Sequence, residues 1–177
     1  ISKDRNSISM GVTNDPAEYV TSEDYGILAF VRLGQLWMYK YNDSSLTNIF
    51  SYPQDSFSDA RTLNTNLDIN IADMDADGNI YFVVYGYMNR GEHEGKNGMS
   101  LYYYSAENMT TQELFFVECD ESYDIMKKET GRFTYYNAQT NKFYYLLDET
   151  LYEVSLADMT QTALVEGIPS AKYFVTN

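Results

Sequence analysis

The 177-residue sequence is short of most things that chemistry and compartment signals are built from. It has one cysteine (Cys119), one histidine (His93), one tryptophan and three prolines, and only 12 basic residues against 26 acidic ones. A lone cysteine excludes an intramolecular disulfide, and no Cys/His spacing of a zinc site is present. No G-x-S-x-G, P-loop or dinucleotide fingerprint occurs. No apolar run approaches the roughly 18 residues of a membrane span, and no charged-then-apolar leader opens the chain. Ile1 starts in mid-stride, so the expectation is a piece of a longer protein with its signal or anchor outside this segment, and without direct membrane insertion of its own. The formal net charge of −14 disfavours phosphate backbones, so nucleic acid is not an expected partner. Helical periodicity is missing as well: no window repeats apolar residues every three to four positions.

What is abundant is aromatic. There are 18 Tyr and 9 Phe residues. Each ring can bury roughly 150–250 Å², enough in sum to order a β core. The stretch Asp73–Tyr87 sets the pattern, a tight turn followed by a strand apolar on both faces. Short strand-like runs separated by turns rich in Asn, Asp, Gly and Ser recur on either side. They group as Tyr19–Thr21, 26–32, 35–41 and 46–52; then 67–72, 79–87, 99–105 and 111–119; then 133–136, 142–147, 150–156 and 161–166. The most apolar strands begin near residues 26, 79 and 142, spaced about 53 and 63 residues apart. Long polar loops at 53–66, 88–98 and 120–131 account for spacings beyond the roughly 40–50 of common four-stranded repeats. Asp15-Pro16-Ala17-Glu18 has the pattern of a capped helical turn.

Strands such as Ile80–Tyr85 and Phe143–Leu147 have no polar face, so they need cover on both sides. With no helices to provide it, the cover must be other sheets. The third strands are mixed and the fourth more polar. This gradient from buried to wet predicts an all-β fold of antiparallel four-stranded blades, about 17–52, 67–119 and 132–166, with 171–177 starting another.

The segments DADGNIYFVV, TNKFYYLLDETLYEVSLADMT and GQLWMYKYNDSS resemble the β-propeller repeat superfamily. The resemblance is closest to the Tyr-rich, weakly repeating propellers of bacterial surface and lipoprotein-type proteins. The chain lacks a WD dipeptide, a kelch glycine pair and an Asp-box, and three units and a fraction make a partial ring. The resemblance implies an extracellular or cell-surface setting. The implied role is non-catalytic binding or scaffolding, the partner being a protein, a glycan or further blades of the same or another chain. The alternative is a propeller glycoside hydrolase or lyase that uses acidic residues.

Three candidate sites follow. Asp73, Asp75 and Asp77, with Gly78, match the first half of a calcium loop. Positions 9 and 12 fall on Tyr81 and Val84, so the rest of the ligand set is missing, and a plain hairpin turn is the competing reading. Calcium is the one cofactor this pattern would take. Loop 88–98 contains Glu92-His93-Glu94, but neighbouring residues rarely all reach one ion, so a metal here needs a ligand from elsewhere. A flexible, solvated insertion is the plainer reading. In an up-and-down blade this loop shares an end with the linkers. Arg90, Glu92, His93, Asp55, Asp59, Arg61, Asp120 and Glu121 are therefore the candidates for a binding face. Finally, Trp37, Tyr39 and Tyr41, and Tyr102 with Tyr104, lie at strand spacing and line one face each, as a blade interface or a binding row.

Overall fold

The computed structural model describes residues 6–9, 16–22, 26–32, 34–52, 67–75, 77–119 and 134–168, with side chains placed from residue 26 onwards. Among the described residues thirteen strands form three antiparallel sheets, and no helix occurs. The first sheet is β1 (Asn6–Ser9), β2 (Pro16–Ser22), β3 (Ile27–Arg32), β4 (Gln35–Lys40) and β5 (Ser45–Ser51). The middle sheet is β6 (Leu67–Met74), β7 (Ile80–Met88), β8 (Lys96–Ser105) and β9 (Thr110–Glu118). The third is β10 (Thr134–Asn137), β11 (Lys142–Leu147), β12 (Thr150–Ser155) and β13 (Thr160–Val165). Within each sheet every strand pairs with its neighbours in chain order. This is the up-and-down order of a propeller blade, with a fifth strand added to the first sheet.

The sheets pack face to face, and the two-residue period of a strand decides which side chain meets which neighbour. From β7, Phe82 and Val84 join Leu36, Met38 and Phe50 of the first sheet in one core. Val83 and Tyr85 point the other way, into a second core with Phe143, Tyr145 and Val154 of the third. Phe50 lies 5.1 Å from Phe82 and 4.7 Å from Tyr102, in edge and tilted geometry. Tyr102 and Tyr104 thus serve the blade interface. Trp37 and Tyr39 stay half-buried and Tyr41 exposed, on strand positions that alternate with the buried Leu36 and Met38. The first strands of the sheets run side by side: β6 lies beside both β2 and β10. There the buried Asn70 amide donates to the Thr134 hydroxyl. An inner row of first strands and an outer row of fourth strands is the radial order of a propeller.

The repeat is sharper in the structure than in the residues. Each hairpin between third and fourth strands turns over four residues, 41–44, 106–109 and 156–159, and its last residue (Ser44, Met109, Met159) takes a positive φ of 54–58°. A β-bulge follows at the same place in every sheet, with Ile49, Leu114 and Leu164 as the extra residues. Turn residues and bulge residues are both spaced 65 and then 50 positions apart. The hairpins between second and third strands differ. β11 and β12 turn over Asp148 and Glu149, both left-handed, whereas β7 and β8 pair over nine positions and turn over residues 89–95.

Two local expectations are corrected. The pattern around Asp15–Glu18 caps no helix, because Pro16–Ser22 pairs as a strand with β1 and β3. Residues 88–98 are not one long loop, because β7 runs through Met88 and β8 begins at Lys96. Strand β1 has no counterpart in the sequence reading, and the closing stretch Tyr173–Asn177 lies outside the described residues.

Candidate functional site

The enlarged turn 89–95 is not a loose insertion. Gly95 N–H donates to Met88 O at 2.7 Å, Glu94 N–H to Gly91 O at 3.2 Å and Lys96 N–H to His93 O at 3.2 Å. It leans on the first sheet through Tyr52, the residue after β5. Gly91, at φ +86°, sits so close that a Cβ there would lie 3.1–3.3 Å from the Tyr52 ring and hydroxyl. Only glycine satisfies both the left-handed backbone and the close approach.

The His93 side chain folds back onto β9. Its ring stacks flat on Phe116, centroids 3.8 Å apart and 7° from parallel. Phe116 in turn lies against Gly98, where any Cβ would fall 2.5 Å from the ring. His93 Nε2 meets Glu113 Oε1 at 2.8 Å, the two side chains 16 % and 21 % exposed. Glu113 Oε2 accepts the Tyr102 hydroxyl at 3.1 Å. Beside the stack, Lys96 Nζ sits 5.8 Å from the Phe116 centroid and 2.8 Å from Glu118.

Two buried hydroxyls border this cluster without completing a hydrogen bond of normal geometry, Tyr52 Oη and Ser100 Oγ, the latter near Tyr102. Burial pushes the Tyr52 phenol up, and the Glu113 and Glu92 carboxylates push it further; the nearby His93 backbone N–H acts against them without completing a bond of normal geometry. Burial, then the Glu113 charge, raises Tyr102 too, so both phenols stay neutral donors across ordinary pH. Among the described residues, the His, Cys, Asp and Glu side chains that converge are Glu92, His93 and Glu113, with ligand atoms all within 4.8 Å of one another.

The structure therefore gathers Glu92 and His93, with Arg90 exposed on the same turn. Asp55, Asp59, Arg61, Asp120 and Glu121 lie outside the described residues. The chain leaves β5 at Tyr52 and β9 at Cys119 on the end that bears this turn: Tyr52 meets Gly91, and Cys119 N–H donates to Asn97 O at 2.9 Å. Asp73, Asp75 and Asp77 stand at the opposite end and do not converge as a ligand group. Asp75 instead closes its turn, accepting from the Asp77 and Asn79 N–H groups at 3.0 Å each and from Asn79 Nδ2 at 2.9 Å. Asp73 Oδ1 accepts from Met74 N–H at 2.7 Å. Glu113 and Tyr52 were not among the residues singled out in the sequence. The offset shared by turns and bulges is the signal that aligns Glu113 with Asn48 and Ala163 and marks it as the charged exception.

No protein family matches the chain in sequence, and no curated protein does. Among solved structures it is similar to an oligogalacturonate lyase in complex with manganese, with a TM-score of 0.54 and 13% identity. That match covers 86% of this chain and 36% of the lyase. A Porphyromonas gingivalis dipeptidyl peptidase 4 aligns at a TM-score of 0.47 and 13% identity, over 82% of this chain and 25% of the peptidase. The chain thus spans about a third of the lyase it resembles. The likeness and the three stacked sheets define a propeller-like, all-β fold.

Proposed function

We propose that the chain belongs to a propeller-like module that works by binding rather than by catalysis, and that its partner docks on the end bearing turn 89–95. The observation that carries this reading is the contrast between equivalent hairpins: two residues in the third sheet, seven in the middle one. The larger turn is braced against Tyr52 and Phe116, so it presents Arg90, Glu92 and Glu94 on a rigid base. Long connections held by a stiff scaffold are where recognition tends to sit. Against catalysis, the one thiol and the one imidazole lie at different interfaces. Cys119 is buried beside Asp148 of the third sheet, while His93 is tied to Glu113 on the side facing the first. A thiolate–imidazole pair cannot form from them.

The partner we favour is a protein or glycan at a bacterial cell surface; the acidity of the chain suits exposure in such a setting. The test is to replace residues 89–95 by Asn-Gly, the short turn a two-residue hairpin prefers, and to compare both proteins on a glycan array and in pull-downs. Binding present in the parent and lost in the short-turn variant supports the reading. Turnover of a polysaccharide that a single Asp or Glu substitution abolishes would replace it with an enzyme.

A further inference from the structure

The cluster under turn 89–95 has more polar capacity than its own hydrogen bonds consume. We propose that Glu92, His93 and Glu113 form a binding site for one divalent first-row transition-metal ion, bordered by the hydroxyl of Tyr52. This inference is independent of which partner the module binds.

Four observations support it. First, the donors are nearly in place: two donors each about 2.1 Å from a tetrahedral ion stand roughly 3.4 Å apart, and His93 Nε2 and Glu113 Oε1, 2.8 Å apart, need only a small opening to admit one. An ion would take the place of the proton they now share. Second, the third ligand is already close. Glu92 is exposed, and its carboxylate lies within 4.8 Å of the other two donors, so a rotamer change suffices to complete the set.

Third, the ligands are held. His93 is clamped on Phe116, which rests on Gly98, and the second Glu113 oxygen is fixed by the Tyr102 hydroxyl. Outer contacts of this kind orient ligands in metal sites. Fourth, the Tyr52 hydroxyl, in a residue only 4 % exposed, completes no hydrogen bond of normal geometry and lies next to Gly91 within the field of both carboxylates. A buried phenol without a partner is costly. A carboxylate oxygen held by the ion would accept a hydrogen bond from it, and a water on the ion would donate one to it.

One imidazole and two carboxylates select for the borderline ions, Mn²⁺ to Zn²⁺, over Ca²⁺ or Mg²⁺, which prefer all-oxygen sets. Three protein ligands leave coordination positions open to water.

The test uses the full chain, freed of metal with a chelator and titrated with Zn²⁺ and, separately, Mn²⁺, with Ca²⁺ as the control. Calorimetry should give one Zn²⁺ site, and Cu²⁺ in its place should show one nitrogen ligand by electron paramagnetic resonance. Glu92→Gln, on an exposed side chain, keeps the fold and should weaken Zn²⁺ by at least tenfold. His93→Gln should abolish the site and the nitrogen signal. Tyr52→Phe should cost roughly tenfold, at the low end of what outer contacts are worth. Zn²⁺ binding that survives Glu92→Gln and His93→Gln unchanged, or no stoichiometric binding in the parent, overturns the assignment. Should His93→Gln fail to fold, Glu92→Gln and the nitrogen signal of the parent decide it.

Discussion

Strands β9 and β13 are built alike and fare differently. Both follow a four-residue turn with a left-handed last residue, and both carry a bulge at the same register. At the bulge and just after it come Leu114, Phe115 and Phe116 in one and Leu164, Val165 and Glu166 in the other. In β9 the two rings pack into opposite cores, Phe116 towards the first sheet and Phe115 towards the third. In β13 Leu164 and Val165 remain 46 % and 50 % exposed. Local sequence makes the strand, its turn and its bulge. Cover comes from having another sheet on each side, and the middle sheet alone of the three is packed between two described neighbours.

The largest expected effect breaks the comparison if it fails. Phe82→Ala empties a fully buried site between Phe50 and Tyr102 and should cost about 3–5 kcal/mol by urea unfolding. Leu164→Ala on β13 should change stability by less than about 0.5 kcal/mol. Equal losses would mean that the middle sheet is not specially covered.

A pH series sharpens the same contrast. Tyr52, Tyr81, Tyr102 and Tyr145 all have phenols raised above the usual value, burial being the main cause. Unfolded tyrosines ionise near pH 10, so above it the unfolded state holds fewer protons than the folded one and stability must fall. The contribution is complete below about pH 10 and is lost as pH climbs towards the folded-state values. Each such phenol steepens the loss by up to about 1.4 kcal/mol per pH unit. Tyr145→Phe, which removes a buried hydroxyl that nears Gln161 without a bond of normal geometry, should flatten the slope and leave neutral-pH stability within about 1 kcal/mol of the parent. Urea midpoints between pH 8 and 11 measure both.

Smaller effects lie in the turns. Gly91→Ala meets both a left-handed backbone and the Tyr52 ring, whereas Gly95→Ala meets the same φ of +86° in open space. The first should cost about 2–3 kcal/mol and the second about 1. Matching losses in thermal melts would remove Tyr52 as the brace of the turn. Smallest are Met109→Gly and Met159→Gly, which relieve one left-handed residue each in equivalent turns. Each should gain up to about 1 kcal/mol, and by similar amounts, as a shared turn geometry requires.

Most of the fold was legible in the residues, because two-sided apolar strands such as Ile80–Tyr85 leave few ways to exclude water. Strand order followed from short turns. What stayed hidden depended on pairing across sheets. Asp15-Pro16-Ala17-Glu18 reads locally as a helix cap, yet the pairing of Pro16–Ser22 with β3, Tyr19 opposite Phe30, prevails. Glycines at 91, 95 and 98 read as a floppy loop, and only Tyr52 and Phe116, distant in sequence, show why two of them are needed. Glu113 was hidden by its bulge. In a regular strand it would face opposite to Phe116, three residues on; the extra residue Leu114 brings both to the Tyr102 side. Asp75 shows the reverse: it sits in a recognisable ligand spacing, yet its carboxylate accepts from the Asp77 and Asn79 N–H groups and the Asn79 amide to close the turn.

The most direct measurement is a pair of double-mutant cycles across the two faces of the middle sheet. Phe50 with Phe82 spans the first interface, and Phe115 with Phe143, at 6.4 Å in edge-on contact, spans the second. Face-to-face packing on both sides predicts coupling of about 0.5–1.5 kcal/mol in each cycle. Strict additivity in either one would contradict it, leaving that face of the sheet without the neighbour described here.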